Sequence, residues 1–177
     1  MTFNKQLLTA AFLTVGGLTA MSSANAADSD TFTVTTTIDA SCSVVTDAAN
    51  IDFGTITANT AAADGTITNK VTSGTGIAVT CSSGSPYAIK LATLSNPDST
   101  IGEGVLKGTN TNAQTIAYKL GSTSTGTAWG SLETNDVTGT GTGLSTPISH
   151  LVYASITGST DVKEDTYTDT ITASITY

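Results

Sequence analysis

The 177-residue chain has no arginine, one histidine, one tryptophan and two cysteines. Each scarcity excludes a class of function. Nucleic-acid binding needs a basic patch to neutralise phosphates. Six lysines against fourteen acidic residues, a net charge of −8, leave no source for one. The charge describes a solvated, soluble exterior and names no partner. A lone histidine, His150, builds no metal centre, and the cysteines show no Cys-x-x-Cys spacing. A Ser-His-Asp triad would need His150 as base, yet no Gly-x-Ser-x-Gly elbow accompanies it. The Gly-Thr-Gly-Thr-Gly run at 139–143 lacks the lysine and following helix of a phosphate-binding loop. No Asp-x-Asp-x-Asp-Gly calcium spacing occurs. Apart from Asp52 and Asp169, the carboxylates fall in polar loops, where solvated acids are the ordinary case. The expectation is no enzyme, no cofactor and no metal.

Long hydrophobic runs are also lacking. Leu7 to Ala20 is mostly apolar but too short to span a bilayer. With Lys5 before it and Ala24-Asn25-Ala26 after it, residues 1–26 read as a cleaved export signal. The mature chain, from Ala27, keeps five lysines and fourteen acidic residues, a charge of −9. Its 151 residues suffice for one domain with a single core. An even pair of cysteines in an oxidising compartment predicts a Cys42–Cys81 disulfide.

Threonine is abundant, at 38 residues. With Val, Ile and Tyr it favours extended chain, because β-branched side chains fit a pleated surface. No 3.6-residue amphipathic pattern follows the signal. Short alternations predict strands at 31–38, 42–46, 51–56, 66–71, 76–82, 86–92, 115–120, 127–130, 148–156 and 166–177. Ile77, Val79 and Cys81 share one face, as do Tyr87, Ile89 and Leu91, and Ile116, Tyr118 and Leu120. One covered and one wet face is the mark of antiparallel sheets, and two such sheets make a β-sandwich. Gly/Ser/Thr-rich stretches at 57–65, 93–104, 121–127 and 138–146 are expected loops.

Trp129 and Tyr153 are the notable aromatics. Trp129 either fills the sandwich core or edge or presents a face to a sugar. Tyr167, opening the last strand, either bonds its hydroxyl to upstream backbone as a tyrosine corner or leaves it in water.

The ends of the chain are the most informative. The last strand is still alternating at Tyr177, and another alternating segment, 31–38, precedes the first cysteine. That pattern predicts donation of a strand from one subunit to the next. Phe32, Val34, Thr36 and Ile38 form one face of the donor arm, 27–41. Ile171, Ala173, Ile175 and Tyr177 are the expected acceptor core. The other reading makes 31–38 the ordinary first strand of a closed sandwich.

An ordered set of motifs narrows this. Cys42-Ser-Val is followed by Asp52-Phe-Gly-Thr, Ile77-Ala-Val-Thr-Cys81 and Pro86-Tyr-Ala-Ile-Lys-Leu91. Then come Tyr118-Lys-Leu120, Trp129-Gly130, Val152-Tyr153 and Tyr167-Thr-Asp169-Thr. The set resembles the spore coat protein U domain family, which includes subunits of archaic chaperone–usher pili. Two departures stand out: Ala154 and Asp165-Thr166 occupy places where members often carry glycine. The resemblance implies an all-β, incomplete immunoglobulin-like sandwich at 42–177, completed by a donated strand. It implies a fimbrial subunit that polymerises by donor-strand exchange into a pilus for adhesion and biofilm formation. The implied partners are identical or related pilin subunits, a periplasmic chaperone and an outer-membrane usher. The implied location is the periplasm, then the cell surface.

The arm's chemistry permits this. Burying Phe32, Val34 and Ile38 contributes roughly 5–8 kcal/mol, comparable with a whole domain's stability. Three residues, Asp39-Ala40-Ser41, separate Ile38 from Cys42 and reach only about 10 Å. That favours donation to another molecule over folding back. Rival readings are a secreted spore or cyst coat protein, a carbohydrate- or surface-binding adhesin module, and a secreted hydrolase.

Overall fold

The computed structural model describes residues 28–58, 70–71, 76–109 and 111–177. The expected signal and most of the strand expected at 66–71 lie outside the described residues. The chain divides into two units, Met1–Thr37 and Ile38–Tyr177. In the first, residues 28–37 are exposed and form no strand, so the strand expected at 31–38 is not formed there.

The second unit is all-β, as the alternations require. Its described strands are β1 (Cys42–Ala48), β2 (Lys70–Val71), β3 (Gly76–Cys81), β4 (Pro86–Thr93), β5 (Glu103–Gly108) and β6 (Thr115–Gly121). They continue as β7 (Val137–Thr140), β8 (Ile148–His150), β9 (Tyr153–Ile156), β10 (Tyr167–Thr168) and β11 (Ile171–Thr176). They pair antiparallel in three sheets, ordered β1-β3-β8, β10-β5-β6-β9-β2 and β11-β4-β7. The predicted stripes on β3, β4 and β6 are all buried, and β9 adds Ala154 and Ile156. Trp129 is completely buried among them, its Nε1 donating to the Ile89 carbonyl at 2.9 Å. Cys42 and Cys81 face each other across β1 and β3 and form the expected disulfide.

Two strands arise where loops are expected, β5 within and beyond 93–104 and β7 at 137–140. Both contain glycine, which reads as a turn signal but here makes room for a neighbour. Gly104 is paired with Tyr118 and Gly139 with Tyr87. A Cβ at Gly104 would sit 2.7 Å from the Tyr118 ring, and one at Gly139 would sit 2.4 Å from the Tyr87 ring. Each tyrosine therefore lies across a glycine of the adjoining strand.

Other expected strands break or fail to pair. The segment 51–56 is not a strand, because the Asp52 carboxylate accepts the Gly54 N–H at 2.7 Å and Gly54 turns to φ 71°. Residues 127–130 give a single bridge, Ala128 to Gly121. The stretch 148–156 divides at Leu151–Val152, and 166–177 divides at Asp169–Thr170. In both cases the chain leaves one sheet and enters another.

A candidate site: the open groove beside the last strand

β11 lies at the end of its sheet, bonded to β4 from Ile171↔Thr93 to Thr176↔Ala88. Its second edge has no ladder partner among the described residues. An unpaired edge carries a row of free N–H and C=O groups and is a template for another strand.

A groove of about 1040 Å³ borders this region. Its floor is buried core, including Leu91, Leu120, Val152 and Ile156. The remaining lining comes chiefly from two stretches, 46–58 and 163–173. Above this buried floor, Ile171 is an apolar lining residue left 39 % exposed.

The expected acceptor residues divide. Ile171 and Ala173 line the groove. Ala173 and Ile175 pack on the core. Tyr177 is 61 % exposed and does not line the groove. Of the expected donor face, Phe32, Val34 and Ile38 are 88 %, 83 % and 86 % exposed, and Thr36 is exposed too.

Polar contacts fix the groove's wall where the chain crosses between sheets. The Asp169 carboxylate accepts the Tyr118 hydroxyl at 2.7 Å, the Ser95 hydroxyl, and the amides of Ser95 at 3.2 Å and Thr170 at 2.8 Å. Ser95 Oγ in turn accepts the Val105 amide at 2.8 Å. One carboxylate therefore ties the end of β4, the middle of β5 and the floor of β6 to the β10–β11 junction. Burial, and then the bond to Asp169 and its charge, push the Tyr118 phenol far above its ordinary pKa, so it stays a donor to Asp169.

A second cluster lies at 163–167. Asp165 accepts the Thr109 hydroxyl at 2.6 Å, Asn112 Nδ2 at 3.0 Å and its neighbour's amide, Thr166 N, at 2.8 Å. These bonds, Thr109 first, hold its carboxyl below the usual range. The Asp165 side chain thereby supports the turn that leads into Tyr167. Tyr167 donates its hydroxyl to the Lys163 carbonyl, as a tyrosine corner requires.

The remaining candidates have structural roles. His150 Nε2 is 2.9 Å from the Tyr87 hydroxyl, and the rings meet edge to face. Burial lowers the His150 pKa. Trp129 presents no face to a sugar, because its ring is inside the core. Gly141 of the Gly-Thr-Gly-Thr-Gly run packs on β3, where a Cβ would meet the Ser82 carbonyl at 2.2 Å. Sequence reasoning set Asp169 apart from the loop acids but missed its partner Ser95. The Tyr-x-Asp motif was the available signal for the first, and no local pattern marked the second.

The molecule is thus an all-β protein with a groove over its buried core, bordered by the free edge of β11. Its sequence matches the profile of the Spore Coat Protein U domain over residues 28–174, and the chain belongs to that family. No curated protein matches it. Among solved structures it is similar to the CsuC–CsuE chaperone–tip adhesion subunit pre-assembly complex from archaic chaperone–usher Csu pili of Acinetobacter baumannii. That similarity has a TM-score of 0.49 and 18 % identity over 80 % of this chain. It spans only 41 % of the length of that chain.

Proposed function

We propose that this protein is a non-enzymatic fimbrial subunit that polymerises by donor-strand exchange. The observation that carries the reading is the groove beside the unpaired edge of β11. The arm supplies a matching occupant in the same sequence: exposed Phe32, Val34 and Ile38 at every second or fourth residue, with Thr36 between. A strand entering the groove pairs with β11 and buries those side chains against Leu91, Leu120 and Ile156. The short Asp39-Ala40-Ser41 connection to the disulfide-anchored Cys42 favours the groove of another copy. Membership of the Spore Coat Protein U family supports the same reading.

The subunit is exported to the periplasm, held there by a chaperone, passed to an outer-membrane usher and assembled into a homopolymeric surface pilus serving adhesion and biofilm formation. A chaperone follows from the physics, because an apolar groove beside a free strand edge invites aggregation. The test is Val34→Asp, which places a charge in the centre of the donor face. It abolishes fibre assembly and spares chaperone binding; normal fibres from this variant defeat the proposal.

A further inference from the structure

The donor face carries one polar side chain, Thr36, among Phe32, Val34 and Ile38. A hydroxyl taken into an apolar groove is costly unless it is bonded there. The buried floor offers few partners. Leu91, Ile116, Leu120, Val152 and Ile156 have none. Asp169 already accepts four donors, the practical capacity of a carboxylate. Tyr118 differs. Its hydroxyl proton is committed to Asp169, and its oxygen keeps acceptor capacity. Thr160, the other buried hydroxyl in the lining, donates to the Thr57 carbonyl at 3.3 Å.

Resting on the donor-strand reading, we infer that the Tyr118 hydroxyl sets the register of insertion by accepting a hydrogen bond from Thr36 of the incoming subunit. A slip of two residues keeps the same face inward but brings Val34 or Ile38 to Tyr118 and strands the Thr36 hydroxyl on hydrocarbon. The apolar contacts of Phe32, Val34 and Ile38 are non-directional and tolerate the slip. A single buried polar pair fixing register has the same logic as a lone asparagine in a coiled-coil seam. Asp169 acts through Tyr118, as a positioning residue that orients the phenol.

The test uses the full chain and reads fibre lifetime in mild denaturant. Exchanging two arm residues, Val34→Thr with Thr36→Val, keeps composition and moves the hydroxyl by one inward position without touching the sandwich. The lifetime falls about tenfold or more, since a misplaced buried hydroxyl costs more than a typical hydrogen bond contributes. In a Tyr118→Phe background, Thr36→Val alone lengthens the lifetime about three- to tenfold, whereas beside Tyr118 it does not. An exchanged arm that behaves like the natural one overturns the inference, as does a Thr36→Val effect that is the same in both backgrounds. So does coupling of Thr36 to Thr160→Val in place of Tyr118. If Tyr118→Phe fails to fold, the exchanged arm decides alone. Val34→Asp separates the two levels: blocked assembly with an indifferent exchanged arm defeats only the register claim, and normal assembly defeats both.

Discussion

Tyr167 donates its hydroxyl to the carbonyl oxygen of Lys163 at 2.6 Å and accepts Asn112 Nδ2 at 2.9 Å. The first bond closes the turn before the last strands. The second ties that turn to the loop between β5 and β6, alongside Asp165. Removing the hydroxyl costs about 0.5–1.5 kcal/mol for each lost bond. Tyr167→Phe should lower the melting temperature by roughly 2–12 °C in a domain of this size. An unchanged melting temperature contradicts the corner.

The neighbouring Asp165 gives that turn a pH dependence of definite sign. Its carboxyl is held below 3.8 by the bonds from Thr109, Asn112 and Thr166. A depressed folded-state pKa means that the stabilisation is fully present above about pH 4 and is lost as pH falls through the lower folded value. The melting temperatures of the natural protein and Asp165→Ala should therefore differ at pH 7 and draw together as acid protonates the carboxylate. A difference that persists undiminished in acid rules out the carboxylate as its source.

Much of this turn was absent from the sequence pattern. Asp165-Thr166 reads there as a missing glycine, and only the fold brings Thr109 and Asn112 to it. The same limit explains β5 and β7. Their glycines suggest loops until Tyr118 and Tyr87 are seen lying across them. In contrast, the stripes of β3, β4 and β6 are legible because period-two alternation is a local property and burial follows it. The segment 51–56 alternates as well, yet the Asp52–Gly54 turn overrides its propensity. The disulfide was legible from cysteine count and compartment. The groove was not legible as such, because its floor belongs to residues scattered from Ile77 to Ile156.

The Cys42–Cys81 bridge spans a sequence separation of 39 and anchors the root of the arm to β3. Constraining a loop of that length stabilises by about 4 kcal/mol in the chain-entropy account. Cys42→Ser with Cys81→Ser should lower the melting temperature by roughly 8–16 °C. Equal melting of the two proteins contradicts a structural disulfide.

Trp129 separates the core reading from the sugar-binding one. Its ring is fully buried and its Nε1 bonds to Ile89. Its emission should be blue-shifted and indifferent to added saccharides. Trp129→Ala should cost about 3–5 kcal/mol, as for other large core aromatics. Saccharide-dependent emission, or a stable Trp129→Ala protein, contradicts the burial.

The central claim is that the arm of one copy completes the sandwich of another. The most direct measurement is the mass distribution of the purified chain from Ala27 onward, with and without residues 27–38, by native sizing and negative-stain microscopy. The account predicts ladders or fibres from the chain that carries the arm and none from the chain that lacks it. Clean, stable monomers from both would mean a sandwich that needs no donated strand, and would contradict it.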